Sequence, residues 1–140
     1  MAEVFAGFVA GFALSLITTP LVAFVLLSMR AGNGAISRLW PPEANLVAVS
    51  MVLHGFTAFA LTALGIVLGL VLLGMEGAAE GAGSLNAPFT LFVAALVLAI
   101  FAPLVVLMAP LRRQLIAYAL VTVLVYGWLM PYLAEWSQFE

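Results

Sequence analysis

Every charged side chain in this sequence lies between or outside four long apolar blocks, and the charges are sorted by sign. The blocks cover residues 4–29, 46–74, 87–109 and 114–134. A bilayer core about 30 Å thick takes about 20 apolar residues per helix. Each block reaches that length, and the second exceeds it, which requires tilt or a protruding end. The blocks are too long and unbroken for barrel strands, which alternate over about ten residues. In lipid the backbone must satisfy its own hydrogen bonds, so each block is expected to be a helix. The expected fold is an all-α integral membrane protein, a four-transmembrane-helix bundle forming one membrane domain.

Composition closes off the soluble alternative. Of 140 residues, 66% are hydrophobic and 7% charged, against about 25% charged in an ordinary soluble domain. A core of this size could not bury so much apolar surface from water. With no cysteine, disulfides, thiolate metal sites and cysteine nucleophiles are excluded. Lysine and aspartate are absent too. Glu3 stands where a cleavable signal would carry Lys or Arg, so the first block is expected to be a retained helix. The lack of lysine beside abundant Ala, Gly, Val and Leu fits a GC-rich prokaryote, hence a prokaryotic cytoplasmic membrane.

The arginines set the expected orientation. Arg30, Arg38, Arg112 and Arg113 all fall in the first and third connections, which share one side of a four-helix topology. Positive loops face the cytoplasm. That side sums to +3 with Glu43 included, and the opposite side, with Glu3, Glu76, Glu80, Glu135 and Glu140, to −5. The expectation is N-out and C-out, both termini outside. Trp40 in the first connection reads as an interface anchor within a short turn at residues 36–40. Trp128, Tyr132 and Trp136, with Phe5 and Phe8, read as an aromatic belt at the other face. Asn86 followed by Pro88 reads as the cap and first turn of the third helix. The short connection at residues 110–113 makes the third and fourth helices antiparallel neighbours. No internal repeat is evident.

Small residues recur four apart at Gly7 and Gly11, with Ser15 on the same face, and at Gly65 and Gly69. Such stripes let membrane helices approach closely. They serve either packing within one bundle or docking of a second subunit.

His54 is the single histidine, and an ionisable group within a span is a functional candidate. Three readings stay open. It hydrogen-bonds a neighbouring helix, it relays a proton or binds a ligand in a polar cavity, or it is an axial ligand to haem or a chlorin. Ser50, one turn before it, would give a flat macrocycle room. Pro20 and Pro103 lie at similar depth, and each frees a backbone carbonyl one turn earlier, at Leu16 and Ala99, and kinks its helix. Thr18 and Thr19 precede Pro20 and can bond backbone locally. Gln114, Tyr118, Thr122 and Tyr126 make one stripe at i, i+4 spacing. Ser50, His54, Thr57 and Thr62 make a second polar face. If the two faces meet, the bundle has a polar seam.

Conventional catalysis lacks raw material. No carboxylate lies within a block, and Ser15, Ser28 or Ser50 would have only His54 as base, with no third group to orient it. One histidine and scattered glutamates do not make a metal site. Arg112 and Arg113 can touch anionic headgroups besides signalling topology. The function expected is a non-catalytic accessory subunit of a larger membrane complex, contributing His54 to a haem or pigment site. The alternative is a small homo-oligomeric channel or transporter with its path along the seam. Partners expected are the lipid bilayer and other membrane subunits or copies of itself, with no nucleic acid.

Overall fold

A computed structural model describes residues 1–29, 43, 45–75 and 86–136. Among these the chain is all-helical, with four helices long and apolar enough to cross a membrane. Helix α1 covers Ala2–Met29, α2 covers Leu46–Met75 and α3 covers Ala87–Leu107. The fourth span runs from Arg112 to Trp136. It is made of α4, Arg112–Leu124, a π turn at Val125–Leu129, and α5, Met130–Trp136. At 1.5 Å per residue, α1 and α2 reach about 42 and 45 Å, so both exceed a bilayer core. The turn expected at residues 36–40, the arginines Arg30 and Arg38, and the connection carrying Glu76 and Glu80 lie outside the described residues.

The helix ends follow local chemistry. Asn45 accepts the Val47 amide at 3.0 Å at the start of α2. Asn86 accepts the Phe89 amide at 3.1 Å, with proline in the first turn of α3, which is the geometry of a side-chain N-cap. α3 stops at Leu107, two residues before the apolar block ends. Met108 leaves the helical region (φ −111°, ψ 59°), and Pro110 has no N–H to give the Val106 carbonyl. A 3-10 turn at Ala109–Leu111 then delivers the chain to α4. Pro20 and Pro103 both sit inside continuous helices.

α1 is the hub. It packs along α2 on one side and against the distal half of the fourth span on the other, and α3 pairs with the fourth span. α3 is the peripheral helix: only 11% of its apolar window is buried, against 33% in α1. The antiparallel crossing of α1 and α2 is set by glycine. A Cβ on Gly7 would overlap the carbonyl oxygen of Gly65, and one on Gly65 would overlap that of Gly7. Gly11 meets the Leu61 carbonyl in the same way, and Gly69 lies against Glu3. Backbones this close favour dispersion and Cα–H···O contacts, the forces that associate helices where lipid removes the hydrophobic drive.

The packing is uneven along the membrane normal. The buried cluster draws Ala6, Ala10 and Leu14 from α1, Leu68 and Leu72 from α2, Phe89, Val93 and Val97 from α3, and Tyr126, Met130 and Ala134 from the fourth span. All belong to the half that holds the start of α1. In the other half, towards Arg112 and Arg113, the helices separate. Grooves open there between α1 and α4, between α3 and α4, and beside His54.

Candidate functional site: a hydroxyl–imidazole cluster at the end of the packed core

Thr18 and Thr19 are adjacent on α1, so their side chains point about 100° apart around the helix. Thr18 faces the fourth span and Thr19 faces α2. The Thr18 hydroxyl meets the Tyr118 hydroxyl at 2.5 Å, and Thr18 also lies 2.7 Å from the Leu14 carbonyl. Thr19 Oγ1 stands 3.0 Å from His54 Nδ1, 2.8 Å from Thr57 Oγ1 and 2.8 Å from the Ser15 carbonyl. Thr57 Oγ1 lies 2.9 Å from the Leu53 carbonyl. The rings of Phe12 and His54 stand edge to face, with centroids 6.4 Å apart at 68°. Phe101 leans on Tyr118 at 5.7 Å.

The proton count of the Thr19–His54–Thr57 group admits both neutral tautomers. With the proton on Nε2, Thr19 donates to Nδ1 and accepts from Thr57. With the proton on Nδ1, the ring donates to Thr19 Oγ1, Thr19 donates to Thr57 Oγ1, and Thr57 donates to the Leu53 carbonyl. No hydroxyl is left without an acceptor either way. In the second form Nε2 carries a free lone pair, the arrangement in which a ligating histidine has its other N–H held by a neighbour. Among the described residues Nε2 has no hydrogen-bond partner. Beside the ring is a shallow groove of about 430 Å³ lined by Thr19, Val47, Ser50, Met51 and His54. Ser50 is exposed on it.

The two polar faces, which would form a seam if they met, each bond mainly to α1. Tyr118 reaches Thr18, while His54 and Thr57 reach Thr19. Thr122 and Thr62 turn back on their own helices, to the carbonyls of Tyr118 and Ala58. Gln114 lines the apolar groove between α1 and α4. Tyr126 crosses directly to α2, but to backbone: its hydroxyl donates to the Leu61 carbonyl at 2.7 Å. The close contact of α1 with α2 at the four glycines puts α1 in the space a direct seam would need.

Two further features escaped sequence reasoning. Glu3, placed among the outer charges, is 3% exposed where α1 crosses Gly69. Pro131 removes the amide that would bond the Gly127 carbonyl one turn earlier. There the chain widens into the π turn, with Met130 N–H on the Val125 carbonyl, and the Thr90 hydroxyl of α3 donates to the Gly127 carbonyl at 2.7 Å. The signal was present in Pro131, by the same rule that singles out Pro20 and Pro103.

Among the described residues no group of three His, Cys, Asp or Glu side chains could hold a metal ion. Comparison with protein-family models, curated proteins and solved structures finds no match to this chain.

Proposed function

We propose that this chain is a non-catalytic subunit of a larger membrane complex, and that it presents His54 to a neighbouring membrane protein. The observation that carries this reading is the outward-facing half of the imidazole. Nδ1 is fixed by Thr19, while Nε2 has no partner among the described residues and lies beside an open groove. Ionisable groups within membranes almost always face a bundle interior or a water-filled cavity. A ring nitrogen on the outer face of a helix pair is therefore a group awaiting a partner. The metal of a haem or chlorin held by the neighbour suits it, with Ser50 one turn away leaving room. The chain lies in a prokaryotic cytoplasmic membrane with both termini outside, as its sorted charges favour.

A second reading rests on the same group. Thr57, Thr19 and His54 form a continuous chain of exchangeable hydrogen bonds reaching the surface groove. Copies arranged with these grooves around a common axis would line a path with His54 and Ser50, as a small channel or carrier would need.

The test is the native mass of the protein extracted gently from its own membranes, with absorbance read on the same band and repeated for His54→Gln. A band far above 14.8 kDa with other polypeptides, losing them or its colour in the variant, supports the subunit reading. A colourless band at a small multiple of its own mass sinks that reading and favours the homo-oligomer, for which flux into liposomes is then measured. A C-terminal tag protected from protease outside intact cells would reverse the orientation.

A further inference from the structure

The groove between α3 and α4 lies apart from His54 and has its own chemistry. It has a volume of about 430 Å³, and its walls are apolar: Val97, Phe101 and Val105 from α3, Ile116, Leu120 and Val123 from α4. Its α3 wall runs from Ala94 to Val106, about 18 Å along the helix axis. It is thus long and narrow, the shape of an extended hydrocarbon chain rather than a compact ligand. At 100° per residue, Arg112, Ile116, Ala119 and Val123 share one face of α4, and Arg113 borders it beside Leu120. Side chains on a helix lean towards its N-terminus, so both arginines extend past the groove's end towards the headgroup layer while their stems stay on apolar surface. Both are exposed, and neither has an ion-pair partner among the described residues. The start of α4 also has no side-chain cap, so the positive end of the helix dipole adds to the same field.

We propose that this groove and the two arginines form a binding site for one anionic phospholipid of the surrounding bilayer. An acyl chain lies between α3 and α4, and the phosphate is held by Arg112 and Arg113. The apolar walls alone would take any lipid; the paired guanidinium groups select for negative charge.

The test is lipid retention by the purified full-length protein, measured by native mass spectrometry after exchange into micelles doped with phosphatidylglycerol or phosphatidylcholine. One anionic lipid per chain is expected to be retained with at least tenfold preference over the zwitterionic one. Arg112→Gln with Arg113→Gln should weaken phosphatidylglycerol by about 25-fold, at about fivefold for each charge near an anionic headgroup. Phosphatidylcholine should be unaffected. Ala119→Phe, which fills the groove and leaves both charges, should reduce retention of both lipids. Circular dichroism of each variant separates loss of the site from loss of the fold. Equal retention of the two lipids by the unaltered protein would overturn the proposal. So would undiminished phosphatidylglycerol binding by a folded double-arginine variant. Competition by free glycerol phosphate as effective as by the intact lipid would also overturn it, reducing the site to an anion contact. None of these outcomes depends on the role of His54.

Discussion

Gly65→Ala is the sharpest probe of how this fold is held together. The added methyl meets backbone, the carbonyl of Gly7, rather than the end of a side chain that could swing aside. The scale of the movement can be read at Gly69, where the overlap is milder. A Cβ there would stand 2.5 Å from the Glu3 carbonyl oxygen, and ordinary contact begins at 3.4 Å, so the backbones would have to part by about 0.9 Å. At Gly65 the separation must be larger. Overpacking of this kind costs about 1–3 kcal/mol. Parting α1 from α2 also stretches the bonds of Thr19 to Thr57 and His54 and displaces the Tyr126 ring, which lies 3.3 Å from the new Cβ position. Interhelical bonds in membranes average about 0.6 kcal/mol each. Alanine's better helix propensity returns about 0.5–1 kcal/mol. The net expectation is a loss of about 1–3 kcal/mol. Gly55→Ala is the internal control, because nothing lies within 4 Å of its Cβ position. It should be neutral or stabilise by up to about 1 kcal/mol. The assay is equilibrium unfolding in mixed micelles followed by circular dichroism as the denaturing detergent fraction rises. A Gly65→Ala protein no less stable than Gly55→Ala would refute the claim that glycine contact sets the α1–α2 crossing.

Three other substitutions test separate contacts in the same assay. Thr18→Val and Tyr118→Phe should each cost about 0.6–1.7 kcal/mol, and the pair together little more than either alone; strictly additive losses would mean the two hydroxyls are not bonded. Thr90→Val should cost about 1–3 kcal/mol by stranding the Gly127 carbonyl. That cost should shrink in a Pro131→Ala background, where the missing amide returns; an equal cost in both backgrounds would show that Pro131 is not the cause. Tyr126→Phe should cost only about 1 kcal/mol, since the Leu61 carbonyl keeps its helical amide. An isotope-labelled Leu61 carbonyl should shift to higher infrared frequency in that variant, and an unmoved band would place the hydroxyl elsewhere.

The four spans were legible because hydropathy over 20 residues reports directly on the bilayer as solvent. The glycine stripes were legible as contact surfaces, since spacing of four fixes a helix face, but not as partners. Nothing local to Gly7 names Gly65, and a second subunit would have used the same stripe. The stripe of Tyr118, Thr122 and Tyr126 has the same limit. Its residues share a face, but whether that face meets α1 or α2 is decided by the backbone approach of the other two helices. α3 ends two residues short of its apolar block, because the run continues through Met108 and Ala109 while the missing N–H of Pro110 stops the helix before them. The π turn had its cause in view at Pro131, but its stabilising donor, Thr90, lies 37 positions away in sequence. Local rules show which carbonyls are freed; they cannot show what reaches them.

The division of labour on α1 decides how any His54 phenotype must be interpreted. The glycines hold one half of the bundle by backbone contact, and beyond them the described interhelical bonds of α1 run through two adjacent hydroxyls. Thr18 ties α1 to the fourth span, and Thr19 ties it to α2 while orienting the imidazole. Thr19 is therefore a packing residue and a positioning residue at once. Thr19→Val would both loosen α2 and release the ring, so loss of partner binding in that variant would not separate the two roles. Thr57→Val removes the packing bond but leaves Thr19 on Nδ1. If His54 acts through Nε2 towards a partner, Thr57→Val should lower stability by about 0.6 kcal/mol and leave partner retention intact, whereas His54→Gln, which gives up the ring's bond to Thr19 at a similar cost, should lose the partner. Equal partner retention by the two variants would show that the cluster serves only to hold α1 against α2.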